Sequence, residues 1–251
     1  MASGTVTAEG MKVQAQAEGG LAIRWGGAES EKWGTTASAK MENAKSLLPA
    51  STYNLKKWTY AKAKEAKNKT ADPTTWENIT NTVLGSTGKA YVADNGYVVM
   101  EKFEIRSTST TKPALGLFVS NVTATSIEGK DIDAALRVGV HLVDANETGD
   151  GVFYIYGPVA GATDGYTWTD GADKATTKTV NLAIKGTIED DNSQLIAKTA
   201  DPLPTSEDTP VKVEIYIWYE GEDAKLYSDN YDANALSISV QFSSYGFKTT
   251  T

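Results

Sequence analysis

Residues Pro210 to Glu220 read Pro-Val-Lys-Val-Glu-Ile-Tyr-Ile-Trp-Tyr-Glu, and residues Ala235 to Phe242 read Ala-Leu-Ser-Ile-Ser-Val-Gln-Phe. In the first run Val211, Val213, Ile215, Ile217 and Tyr219 share one parity; in the second Leu236, Ile238, Val240 and Phe242 do. A period of two places each apolar set on one side of a pleated strand, so both runs predict β-strands with a core-facing row. Working outward, the same pattern predicts strands over residues 97–106, 114–125, 134–143, 151–156, 177–184 and, as a short edge, 194–198. Near the N-terminus, Met11, Val13, Ala15 and Ala17 alternate with polar residues, and Leu21 to Trp25 gives another short strand after the Gly19-Gly20 break.

Between residues 26 and 89 the period of two is lost. Residues 56–69 are rich in Ala, Lys and Glu without Gly or Pro, which predicts a helix. Asp72-Pro73-Thr74-Thr75-Trp76-Glu77 carries the N-cap, first-turn Pro and early acid of a second helix start. The lysines at 56, 57, 62, 64, 67 and 69 read as a solvated helix face, with a docking patch for an acidic surface as the alternative. About nine or ten strands with one such insertion predict an all-β fold: a jelly-roll or Greek-key sandwich of two antiparallel sheets with a short helical insertion near the N-terminus. At 251 residues the whole chain, 1–251, is expected to form one domain around one core.

Composition removes several functional classes. No cysteine means no disulfide, thiolate metal site or cysteine nucleophile. The single histidine, His141, rules out two-histidine zinc chemistry, and its strand position, opposite the aliphatic row, points to a surface or inter-sheet role. A net charge of −8 with only Arg24, Arg106 and Arg137 as arginines lacks the basic field of a nucleic-acid binder. No run approaches 18 apolar residues, so no membrane span is expected. The richness in Thr, Ser, Asn and Gly suits a secreted, extracellular β-protein read in its mature form, and the ending Phe247-Lys-Thr-Thr-Thr251 carries no wall-sorting motif.

Two loops hold oxygen-bearing residues at close spacing. Asp144, Asn146 and Asp150 form a candidate Ca²⁺ loop, although the pattern departs from an EF-hand; a turn held by Asx hydrogen bonds is the simpler account. Asp164, Tyr166, Trp168 and Asp170 form a candidate ligand loop whose rings would stack on a sugar; a plain turn again explains the acids. Carboxylates at Glu220, Glu222 and Asp223 could supply a glycosidase only if two faced each other across a cleft. A non-enzymatic protein is the expectation.

The segment Ile215-Tyr-Ile-Trp-Tyr-Glu-Gly-Glu-Asp-Ala224, followed by Leu236 to Phe242, resembles the ending of the TasA/camelysin group of secreted biofilm-matrix fibre subunits of Firmicutes. The likeness covers about a tenth of the chain, and Ala224, Lys225 and Leu226 stand where related sequences often carry a cysteine. The resemblance implies a jelly-roll subunit of an extracellular filament that polymerises head to tail by donating its N-terminal strand to the next copy. Residues 1–17 would be the donor, with Val6, Met11, Val13 and Ala15 as its apolar row; an ordinary intramolecular first strand is the competing reading. The expected partner is the chain itself, with other matrix proteins or surface glycans as further candidates. The alternative function is a secreted carbohydrate-binding or adhesin module.

Overall fold

The computed structural model describes residues 11–17, 20–26, 31–41, 50–61, 76–78, 98–126, 131–144, 149–159, 161–162, 164–183, 195–198, 202–223 and 236–247. These residues are overwhelmingly β, with one 3-10 turn at Asp131–Ala135. Two five-stranded sheets dominate. The first runs in the order β13 (Leu195–Lys198), β8 (Ala114–Ser126), β15 (Leu236–Phe247), β1 (Met11–Ala17), β3 (Thr36–Met41). The second runs β10 (Phe153–Tyr156), β9 (Leu136–Val143), β14 (Val211–Tyr219), β7 (Val99–Ser107), β2 (Leu21–Trp25).

The two sheets face each other across one apolar core, and alternation decides which residues enter it. From the first sheet come Val13, Ala15, Val122, Ile238, Val240 and Phe242; from the second come Ile23, Phe103, Ile105, Leu136, Val138, Val213 and Ile215. The sandwich expected from the period of two is therefore present.

The second sheet is covered on its other side as well. A three-stranded sheet, β4 (Ser51–Thr52), β5 (Trp58–Ala61) and β6 (Trp76–Asn78), and a hairpin of β11 (Gly165–Thr169) with β12 (Thr177–Asn181) accompany it. Ala50, Leu55, Trp58, Tyr166, Trp168 and Val180 from these additions form a second apolar cluster with Met100, Tyr216 and Trp218 from the second sheet. Burial on both faces explains why Ile-Tyr-Ile-Trp-Tyr at 215–219 is continuously apolar instead of strictly alternating.

Three expectations need correction. The residues read as helical are not helix where they are described: Lys56 and Lys57 lie in a bend, Trp58 to Ala61 form β5, and Trp76 and Glu77 lie in β6, while residues 62–69 and 72–75 of those two segments lie outside the described residues. Ala and Lys favour a helix locally, but Trp58 is buried against Tyr216 and Trp218, and that packing outweighs propensity. The sheets are also not wholly antiparallel, because β1 runs parallel to β15. Finally, there are two small sheets besides the two large ones.

Gly139 shows how tightly the second cluster is packed. A Cβ there would lie 2.5 Å from Leu55 Cδ2 and 3.2 Å from Trp218. Leu55 cannot withdraw easily, since it is 2% exposed and held at a φ of 59° by a turn in which Thr52 Oγ1 and Asn54 Oδ1 accept backbone N–H groups. Gly139→Ala is expected to destabilise the chain by about 1–3 kcal/mol in urea unfolding, with Leu55→Ala in the same chain returning part of that loss. Additive losses would contradict the contact.

No helix among the described residues is long and apolar enough to cross a membrane.

Candidate functional site

Strand β1 occupies a slot in the first sheet. Its residues 12–17 pair with 237–242 of β15, and its residues 11–16 pair with 41–36 of β3. Both backbone edges of β1 are thus satisfied. Every other ladder between named strands among the described residues is antiparallel, so β1 is the exception to the sheet it sits in. Because β1 is parallel to β15 and antiparallel to β3, those two walls are antiparallel to each other.

The inward side chains of the strand match the walls. Val13 and Ala15 are each 0% exposed; Val13 is in register with Ile238 and Ala39, and Ala15 with Val240 and Ala37. Gln14, on the opposite face, is half-buried and in register with Ser239 and Ser38. One apolar row and one polar row are what a strand lying across a core requires. Of the other predicted donor residues, Met11 is the first residue of β1, and Val6 lies outside the described residues.

The candidate ligand loop is arranged differently from its reading. Residues 165–169 are strand, and alternation turns Tyr166 and Trp168 inward, at 8% and 1% exposure. The Tyr166 hydroxyl donates to the Thr52 carbonyl, and the Trp168 ring packs on Tyr53 with centroids 4.6 Å apart. No ring platform is left for a sugar at these two positions. Asp164 is exposed, and Asp170 Oδ1 accepts the N–H groups of Ala172 and Asp173 at 2.8 and 3.2 Å, an Asx turn.

In the candidate calcium loop, Asp144 lies at the end of β9 and Asn146 lies outside the described residues. Asp150 Oδ1 accepts the Asn54 side-chain N–H at 2.7 Å, and the Lys56 ammonium donates to the Gly149 carbonyl at 2.8 Å. Both contacts tie this loop to the turn after β4. Among the described residues no group of three or more acids or histidines is placed to hold a metal ion.

Of the acids after β14, Glu220 and Asp223 are interior and Glu222 is half-buried. Arg137 and Asp223 are both fully buried and joined at 2.6 Å, with Arg137 also donating to the carbonyls of Ala134 and Leu136. Glu220, 0% exposed, accepts the Trp218 indole N–H at 3.0 Å. Reading the sequence, Arg137 counted only as one arginine among three; its place opposite Trp218 in the β9–β14 register is what brings it to Asp223 just past the end of β14. His141 is 6% exposed on the outer face of the second sheet, and its Nδ1 lies 3.2 Å from Glu214.

These acids divide by environment. Burial pushes Glu101 and Glu220 up to about 7, offset only in part by the indole N–H of Trp25 for the first and by Ser51, Trp218, the Glu222 backbone and Arg137 for the second. At Glu214 burial acts the same way but is outweighed by His141, the Tyr216 hydroxyl and Lys102, which hold it near 2. An acid raised on folding loses stability for the fold as pH climbs from about 4.5 to about 7; an acid lowered on folding loses it as pH falls from about 4.5 to about 2. Stability against urea is therefore expected to peak near pH 4.5–5, and Glu101→Gln to flatten the alkaline decline. A midpoint still rising toward pH 8 would contradict these assignments.

Neither a family model, nor a curated protein, nor a solved structure matches this chain.

Proposed function

We propose that the chain is a structural subunit of an extracellular filament or biofilm-matrix fibre, secreted and assembled head to tail by donation of β1 into the slot of the next copy. The observation that carries this reading is the position of β1. It is the first described strand, yet it lies inside a sheet, in the one parallel ladder between named strands among the described residues, between walls that would be antiparallel neighbours without it.

Leaving β1 out, the first sheet reads β3-β15-β8-β13 and the second reads β7-β14-β9-β10 with β2 added at its edge. That order supports a jelly-roll frame, complete in itself apart from one empty strand position in the first sheet. A strand held on both edges by backbone hydrogen bonds and on one face by small apolar side chains is replaceable by an identical strand from another copy, since each contact is reproduced. The link from Ala17 to Leu21 passes from the first sheet to the second through Gly20, whose φ of 78° suits glycine, so a change there redirects β1. Repeated around the same operation, the exchange is heterologous and grows an open fibre. The tail likeness to TasA/camelysin proteins agrees with this use.

The second reading, a carbohydrate-binding or adhesin module, depended on Tyr166 and Trp168, whose rings are inside. Surface glycans and other matrix proteins remain partners only of an assembled fibre. Negative-stain microscopy of the purified intact chain over a concentration series tests the proposal: filaments are expected, and monomers at every concentration would overturn it.

A further inference from the structure

Two of the three arginines in the chain are committed to one tryptophan. The guanidinium carbons of Arg24 and Arg106 lie 4.7 and 4.9 Å from the centroid of the Trp33 ring. Each arginine is fixed from elsewhere: Arg24 Nε bonds Glu104 at 2.6 Å, and Arg106 bonds Glu207 at 3.0 Å and the Thr205 carbonyl at 3.2 Å. Beside this stack, Gly34 and Ile23 exchange backbone hydrogen bonds at 2.8 and 3.0 Å. Residues 33 and 34 are therefore docked on the second sheet, and two residues later the chain enters the first sheet as β3.

This corner matters when β1 is absent. Among the described residues the ladder of β3 is with β1 alone, and the Ala17 N–H bond to the Thr35 carbonyl also belongs to the strand that leaves. Beyond the core packing of Ala37 and Ala39, what then fixes the start of β3 is the Gly34–Ile23 pair and the Trp33 stack. An unheld β3 has an attractive alternative: it is antiparallel to β15, so moving inward by one strand spacing, about 4.8 Å, would pair the two directly and close the slot.

Resting on the strand-donation reading, we propose that Trp33, gripped by Arg24 and Arg106, is the positioning residue that keeps β3 in place as the wall of an open slot and so makes the chain competent to accept a strand. Two cation–π contacts at a half-buried site bias the open slot over the closed one by about tenfold. The clamp affects acceptance and leaves donation untouched, which a general loss of stability would not do.

The test uses two full-length chains with one cysteine each, in a protein that has none of its own. Gln14→Cys marks the donor and Ser239→Cys the acceptor, since these positions are in register. The chains are mixed, allowed to assemble and oxidised, and the disulfide-linked heterodimer is measured. Trp33→Ala on the Ser239→Cys chain is expected to lower heterodimer about tenfold, and the same change on the Gln14→Cys chain to leave it unaltered. Trp33→Phe should restore most of the yield, whereas Trp33→Leu, apolar but without a π face, should behave like Ala. Equal losses from both chains, no loss from either, or full rescue by Leu would overturn the clamp. No heterodimer with Trp33 present in both chains would overturn strand donation itself, and the clamp with it.

Discussion

Ala15→Asp is expected to abolish filaments at concentrations where the unaltered chain assembles, while Gln14→Asp, one residue away, leaves them. Ala15 is 0% exposed and faces the core between Ala37 and Val240, so a carboxylate there loses its water and finds no cation in compensation. The cost of an unpaired buried charge is several kcal/mol, enough to hold β1 out of any slot, its own or a neighbour's. Gln14 lies on the other face, in register with Ser239 and Ser38, where a carboxylate stays hydrated. Negative-stain microscopy reads the difference directly. Because the two variants carry the same added charge, a general effect of charge on assembly would remove filaments from both; loss in both, or in neither, contradicts the assigned faces of β1.

The second large effect concerns the buried outer face of the second sheet. Arg137→Ala is expected to destabilise the chain by about 3–5 kcal/mol, a fall in melting temperature of about 10 °C, because it removes the guanidinium that faces the buried Asp223 carboxylate. Asp223 and Arg137 are each 0% exposed at the side chain, and Arg137 also satisfies the carbonyls of Ala134 and Leu136. Replacing both partners, Arg137→Met with Asp223→Leu, should cost much less than the single change, since no charge is then left without its partner. Calorimetry on the two variants separates a buried ion pair from simple loss of side-chain volume. A double variant as unstable as Arg137→Ala would show that packing, not charge, is what matters there.

How far the sequence could be read depended on the type of signal. The strands over 211–219 and 236–242 were legible because large apolar residues recur at every second position; the continuation of β15 through 243–247, Ser-Ser-Tyr-Gly-Phe, carries no such row and was not read. Strand β3, Thr-Ala-Ser-Ala-Lys-Met, has only Ala37 and Ala39 before Met41 in its inward row, so its period was invisible, although Ala39 is fully buried. The loop around Trp168 was expected to display its rings because glycines and aspartates surround them; a second layer on the outer face of the second sheet draws them in instead, and only the three-dimensional arrangement reveals that layer. The donor candidate, residues 11–17, was recognisable as an amphipathic strand, but its neighbours were not, since pairing with β15 joins positions more than 200 residues apart. The Trp33 clamp left no local trace at all, being assembled from positions 24, 33 and 106.

Strand exchange makes one claim that a single gel can decide. With Gln14→Cys and Ser239→Cys in the same chain, the two cysteines face each other across the β1–β15 ladder at a separation a disulfide can span. If β1 is donated, oxidation of assembled material links each subunit to the next, and non-reducing electrophoresis shows a ladder of covalent oligomers that reductant collapses to one band. If β1 stays in its own subunit, the same oxidation closes the disulfide within each chain, and a monomer band alone would contradict the account.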